Sequence, residues 1–190
     1  GGNVYGLDGE YKFSGIWYAY KFDSAIQSDN GVYAVIYEKL GTKGLLLKNG
    51  KILRELNRSY YQAHRYAYPI CFLKLPDGQY GIIHCPREYD LIEIEYVETG
   101  KRVTMESGRK AEDCFHSRFS VNEANTHLLN TGWVWHPWGI IEIYDILAGI
   151  KDNSVFDKIT ADFPTSGEIS SAAFLTDDLV VVASTKEASM

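Results

Sequence analysis

Two stretches of this chain, residues 72–100 and 119–149, can be laid over one another as copies of a single four-strand unit. Phe72 and Phe119 stand 47 residues apart, as do Gly78 and Asn125, while Ile94 and Ile143, and Gly100 and Gly149, stand 49 apart. That spacing, with strand-turn-strand grammar in each copy, fits one blade of a β-propeller, typically about 40–50 residues. Repetition constrains the architecture of a chain far more than it constrains its chemistry.

In the first copy Cys71-Phe72-Leu73-Lys74-Leu75 runs into Pro76-Asp77-Gly78, where proline presets one turn residue and glycine accepts positive φ, and the chain resumes as Tyr80-Gly81-Ile82-Ile83. Its second half, residues 91–97, is apolar at 92, 94 and 96 and acidic at 93 and 95, the period-two alternation of a half-buried strand. Glu98-Thr99-Gly100-Lys101 then turns the chain back into Arg102-Val103-Thr104. The second copy repeats the order with a turn at 122–125 and strands around Leu128-Leu129 and residues 140–146. Its two extra residues fall at 133–138, which reads as a loop insertion.

A third copy begins at Ala172-Ala173-Phe174-Leu175, turns through Thr176-Asp177-Asp178 and returns over residues 179–183, half a blade. Toward the N-terminus, residues 16–22 and 32–37 read as paired strands, followed by a hairpin around Asn49-Gly50, since both residues accept the positive φ of a type I′ turn. Only residues 147–158 look helical. The expected fold is therefore all-β and propeller-like, with about four four-stranded blades in one domain spanning 1–190 and one short helix in a loop. Strands near the two termini share the last blade, which removes exposed edges. The alternative is a partial propeller whose edges are covered by a second copy of the chain, a homo-oligomer, or by missing sequence.

At 190 residues and 45% hydrophobic the chain can bury a full core. A net charge of −6 argues against nucleic acid as a partner, because that affinity rests on neutralising phosphates with Lys and Arg. Three cysteines without framework spacing fit reduced thiols, and no run is long enough to span a bilayer, so a cytoplasmic location is expected. The chain opens on Gly1-Gly2 rather than Met, an opening expected of a cloning scar or of a processed or excised segment, with room for an upstream signal.

Several segments carry a resemblance: Gly41-Thr42-Lys43-Gly44-Leu45-Leu46-Leu47, residues 53–61, His84-Cys85-Pro86, Phe115-His116-Ser117-Arg118 and Gly132-Trp133-Val134-Trp135-His136-Pro137-Trp138. On these the chain resembles a family of bacterial WD-repeat-like β-propeller proteins. The resemblance implies a fold and no particular chemistry. Tyr144-Asp145 stands where Trp-Asp would, and the Gly-His pair of the usual repeat is missing.

Candidate recognition residues concentrate in three places. Residues 133–138 hold Trp133, Trp135 and Trp138 with His136, flat apolar faces beside a polar handle, though strand alternation can also turn such rings into packing. Residues 54–68 gather Arg54, Arg58, His64 and Arg65 with Tyr60, Tyr61, Tyr66 and Tyr68; they read either as a contact surface or as a connector whose tyrosines seal the core. His116 and Arg118 sit before an inner strand with Asp113 and Ser117 nearby, where a buried network bracing the blade is the favoured use. His84, Cys85, Cys114, His116 and His136 lack metal-ligand spacing, and no glycine-rich phosphate loop is present, so neither metal nor cofactor is expected. The functional expectation is a non-catalytic module that binds a protein or peptide through the two loops. The alternative is a hydrolase using His116 or His136 as base, or a thiol enzyme using Cys85.

Overall fold

Positive φ marks the turns on which the strand reading depends: Asn49 (49°) with Gly50 (76°), Gly78 (82°) and Asn125 (56°). The structure, a computed structural model, describes residues 2–16, 20–104, 107–134, 138–160 and 168–185. The chain divides into two compact units, Gly1–Tyr68 and Pro69–Met190.

In the first unit β1 (Gly2–Tyr5) and β2 (Tyr11–Ile16) form a hairpin, and β3 (Ser24–Gln27), β4 (Tyr33–Tyr37), β5 (Lys43–Lys48) and β6 (Lys51–Asn57) form a four-stranded antiparallel sheet in chain order. The strand expected at 16–22 is corrected. Ile16 ends β2, residues 17–19 lie outside the described residues, and the partner of β4 is β3, on rungs such as Ile26↔Val35. Asp23 holds the approach to β3, accepting Lys39 N–H at 2.7 Å and donating its own N–H to the Tyr37 carbonyl at 3.1 Å. Leu45, Leu46 and Leu47 are all buried, because both faces of β5 are covered. Leu45 and Leu47 pack with Phe22, Ala34 and Ile36 on one face, and Leu46 lies opposite Val35 on the other.

In the second unit β7 (Ile70–Lys74), β8 (Tyr80–His84) and β9 (Glu93–Tyr96) form one antiparallel meander. A second consists of β10 (Ser120–Val121), β11 (His127–Trp133) and β12 (Gly139–Asp145); β13 (Glu168–Phe174) and β14 (Val180–Thr185) form a two-stranded ribbon. The turn back after β9 forms as expected: Tyr96 N–H donates to the Lys101 carbonyl and Arg102 bridges Glu95, giving the first meander a partial fourth edge. After β12 the chain instead enters helix α1 (Ile146–Lys151), capped by the Asp145 carboxylate accepting Ala148 N–H at 2.8 Å. A 3-10 stretch, Asn153–Asp157, follows. The protein is all-β in class, built of several small antiparallel sheets. Among the described residues the four-strand expectation is met in full only by β3–β6.

Strand register refines the repeat. Leu73↔Gly81↔Tyr96 in the first copy corresponds to Ser120↔Leu129↔Ile143 in the second and Ala173↔Val181 in the third. Each of these rungs pairs a small residue with a large one on its first two strands, which keeps the filled volume similar. In the first copy Leu73 Cδ2 and Leu75 occupy the space a Gly81 side chain would need, with Leu73 Cδ2 only 2.6 Å from that Cβ position. The one-residue lengthening lies in the first turn, not at 133–138. The turn is closed by Leu75 N–H to Gln79 C=O in copy one and by Leu175 N–H to Leu179 C=O in copy three, but by Asn122 N–H to His127 C=O in copy two. Trp133 is paired with Gly139 at the end of a longer ladder, which leaves 134–138 as a short connection rather than an insertion.

Packing runs from sheet to sheet. Leu73, Ile83 and Ile94 of the first meander meet Phe119, Leu128 and Tyr144 of the second, in a cluster completed by Ile146 and Phe156. Leu129, Ile141 and Ile143 of the second meander meet Ala172, Phe174, Val180 and Val182 of the ribbon. The turns stack too: Asn125 Oδ1 accepts Lys74 N–H at 2.7 Å and Asp177 Oδ1 accepts Ala124 N–H at 2.8 Å. Among the described residues no helix is long and apolar enough to cross a membrane.

Candidate functional site

The residues after β6 fold around one buried cation. Arg58 donates from Nε to the Gly41 carbonyl at 2.6 Å and from Nη2 to the Ala63 and Tyr66 carbonyls at 2.6 and 3.1 Å. Its guanidinium lies over the rings of Tyr66 and Tyr68, 4.5 and 4.9 Å from their centroids. A guanidinium with several donors in one plane can tie three carbonyls together in a way a lysine cannot. Arg58, read from the sequence as a contact residue, is therefore the buried brace of the connector, and Tyr66 and Tyr68 are core. Arg54 is half-buried on β6 opposite Leu46. The loop so held turns through Gln62 at φ 51° and presents Tyr60 and Tyr61, 78% and 55% exposed, with His64 and Arg65 also at the surface.

In the second unit Trp133 stacks on Phe115 at 4.1 Å with planes 8° apart, and Tyr89 stacks on Phe115 at 4.4 Å. The three rings form a ladder along the sheet end, and Asp113 accepts the Tyr89 hydroxyl at 2.8 Å. Trp133 is thus half-buried packing, whereas Trp138 is 71% exposed. Trp135 and His136 lie outside the described residues. Arg118, at φ 51° between Ser117 and Phe119, donates Nη1 to the Ser170 carbonyl at 2.7 Å, tying the second meander to the ribbon.

His116 is buried, and its partners differ from the Asp/His/Ser set expected from the sequence. Cys114 and His116, two apart, share a face. Asn130 Nδ2 donates to Cys114 Sγ at 3.7 Å, Cys114 Sγ lies 3.7 Å from His116 Nδ1, and His116 Nε2 lies 3.1 Å from the Asp90 carbonyl. The carbonyl can only accept, so Nε2 carries the proton and Nδ1 accepts from the thiol. Asn130 Oδ1 in turn accepts Ser117 N–H at 2.9 Å. Burial pushes the Cys114 thiol well above its ordinary range and pulls His116 down to about 4. Both groups are neutral at physiological pH, the opposite of the thiolate–imidazolium pair that makes a cysteine nucleophilic. Cys71 and Cys85 are buried as well, and burial raises the Cys71 thiol too.

The acidic positions of β9 are not solvated. Glu93 is buried and accepts from Arg87 Nε at 2.8 Å, while Arg102 Nε lies 2.7 Å from its other oxygen; Glu95 lies 3.0 Å from His84 Nε2. Alternation in the sequence marks two faces, and it does not say that both are covered. A second buried pair, Arg109 with Asp157 in bidentate contact, borders an open depression of about 340 Å³ lined also by Lys110, Asp152 and Lys158. Among the described residues no group of three or more His, Cys, Asp or Glu side chains is arranged to hold a metal ion. The signal that could have located Arg58 was its place between Leu56 and the tyrosines; for Arg109 no local pattern exists, since Asp157 is 48 residues away.

No protein-family model matches the chain, and no curated protein matches it either.

Proposed function

We propose that the protein is a non-catalytic binding or scaffolding module of WD-repeat-like, propeller type, which takes a protein or peptide partner on the loop after β6. The observation that carries this reading is the Arg58 clamp. It fixes the backbone at Gly41, Ala63 and Tyr66 and holds Tyr60 and Tyr61 out to solvent, although tyrosine contributes more when packed. Rigid, exposed aromatic side chains on a braced loop have the composition and low ordering cost of binding hot spots. Trp138 is a second exposed aromatic of the same kind, in the other unit. The successive sheets of the second unit, each packed on the next by apolar side chains, support the propeller reading. Buried cysteine thiols at 71, 85 and 114 suit a reducing compartment such as the cytoplasm.

The test separates the surface from its brace. A Tyr60→Ala, Tyr61→Ala double variant keeps the unfolding midpoint of the intact chain and loses at least tenfold in affinity for partners captured from the native organism. Arg58→Met lowers stability and affinity together. Full retention of every partner by the folded double variant removes the loop from the function.

A further inference from the structure

The depression beside the Arg109–Asp157 pair is walled by residues 108–112 on one side and 152–158 on the other, both within the second unit. The two walls are tied together. Glu112 N–H donates to the Asp157 carbonyl at 2.8 Å, and Glu112 Oε2 accepts Ile159 N–H at 2.9 Å. Arg109, whose side chain is only 4% exposed, is held by Asp157 and by the Ile92 carbonyl at 2.6 Å, so its charge is fixed in place.

The depression has donors to spare. Gly108, at φ 80°, lines it and can do so only with backbone atoms. Among the described residues the N–H groups of Gly108, Arg109 and Lys110 have no protein acceptor. Lys110 and Lys158, one on each wall, are exposed and form no ion pair with a described residue. The carboxylates of the lining are already engaged: Asp157 by Arg109, Glu112 by Ile159 N–H, and Asp152 by Ser154 N–H at 3.0 Å and, at longer range, by Lys158.

Successive unpaired N–H groups around a left-handed residue can form a concave anion trap, and an ammonium adds a point charge to it. Donors arriving from two walls suit a tetrahedral oxyanion, which offers an acceptor in every direction, better than a planar carboxylate. A volume of about 340 Å³ is larger than a phosphate ion needs and sits at the small end of ligand sites, which leaves room for a small organic group.

We propose that this depression binds a phosphate group, free or as the monoester of a small molecule, between the backbone of Gly108–Lys110 and the two lysines. The group is held and not transferred, and the site is separate from the loop after β6.

Calorimetric titration of the full chain with inorganic phosphate, at an ionic strength held constant with chloride, tests this. The intact chain binds saturably. A Lys110→Gln, Lys158→Gln chain keeps its circular dichroism and unfolding midpoint, because both side chains are exposed, and binds roughly tenfold more weakly or not at all. Either single variant serves if the double one is disturbed. Phosphoserine and glycerol phosphate separate the two sources: tighter binding than inorganic phosphate assigns the site to an ester, and weaker binding assigns it to the free ion. Titration without saturation, acetate bound as tightly as phosphate, or a double variant that binds phosphate as well as the intact chain overturns the proposal.

Discussion

β9 and β12 hold the same place in two copies of one sheet, and each buries a glutamate there: Glu95 opposite Ile82 and Glu142 opposite Asn130. Their surroundings differ. β9 adds Glu93 on the same face, where β12 has Ile140, and its two acids are met by Arg87, Arg102 and His84. Glu142 accepts the N–H and hydroxyl of Thr160 and lies opposite Asn130, which donates to Cys114. A buried carboxylate must be compensated, but the register of the sheet does not say how. The compensating groups come from the connections: Arg87 precedes β9, Arg102 follows it, and Thr160 follows the 3-10 stretch. The first copy meets its acids with cations, and in the second Glu142 accepts from Thr160 beside the Asn130–Cys114–His116 hydrogen bonds.

The contrast can be broken most forcefully on the ionic side. Glu93→Gln leaves Arg102 beside a neutral amide and should cost about 3 kcal/mol, near the lower end for a broken buried pair because Arg87 can turn to water. Glu142→Gln keeps an acceptor for Thr160 and should cost much less. Urea midpoints of the two variants check the order, and equal losses would mean that the two environments are energetically alike.

The neutral side is sharpened by pH. His116 has its folded value lowered below the ordinary 6.5 to about 4, so between those values the unfolded chain binds more protons than the folded one. Stability from this group is complete above about pH 6.5 and is lost progressively as pH falls toward 4, by roughly 3 kcal/mol. The unfolding free energy of His116→Gln should be correspondingly flatter across that window. An unchanged slope would place the acid sensitivity elsewhere.

The smallest effect concerns how the copies are joined. Asn125 supplies both a left-handed turn residue and the acceptor for Lys74 N–H. Asn125→Ala should cost roughly 1–2 kcal/mol. Asn125→Gly, which relieves the backbone and loses only the acceptor, should recover part of that in the same assay.

Much of this architecture was legible in the residues. Asn49-Gly50 and Pro76-Asp77-Gly78 announce hairpins because their φ requirements are local, and the half-copy at 172–183 repeats the turn of the first copy with the same closing hydrogen bond. The short helix was legible for the same reason. Local chemistry could not reveal the strand at 24–27, whose alternation is weak and which is fixed by β4, nor the site of the extra residue in the second copy, which only the register of hydrogen bonds decides. Of the candidate site, the tyrosines at 60 and 61 stood out by composition, but the same composition made Arg58 look like their companion at the surface.

The sequence by itself determined class and period: antiparallel strands, their turns and the spacing at which they recur, all of which follow from φ preferences and alternation within a few residues. Tertiary structure alone decided burial. Whether a glutamate at 93 meets water or two arginines, whether a cysteine and a histidine two apart become reactive or neutral, and whether an arginine recognises or braces depend on which distant groups exclude water. That exclusion is a property of packed sheets, and no short stretch of sequence carries it.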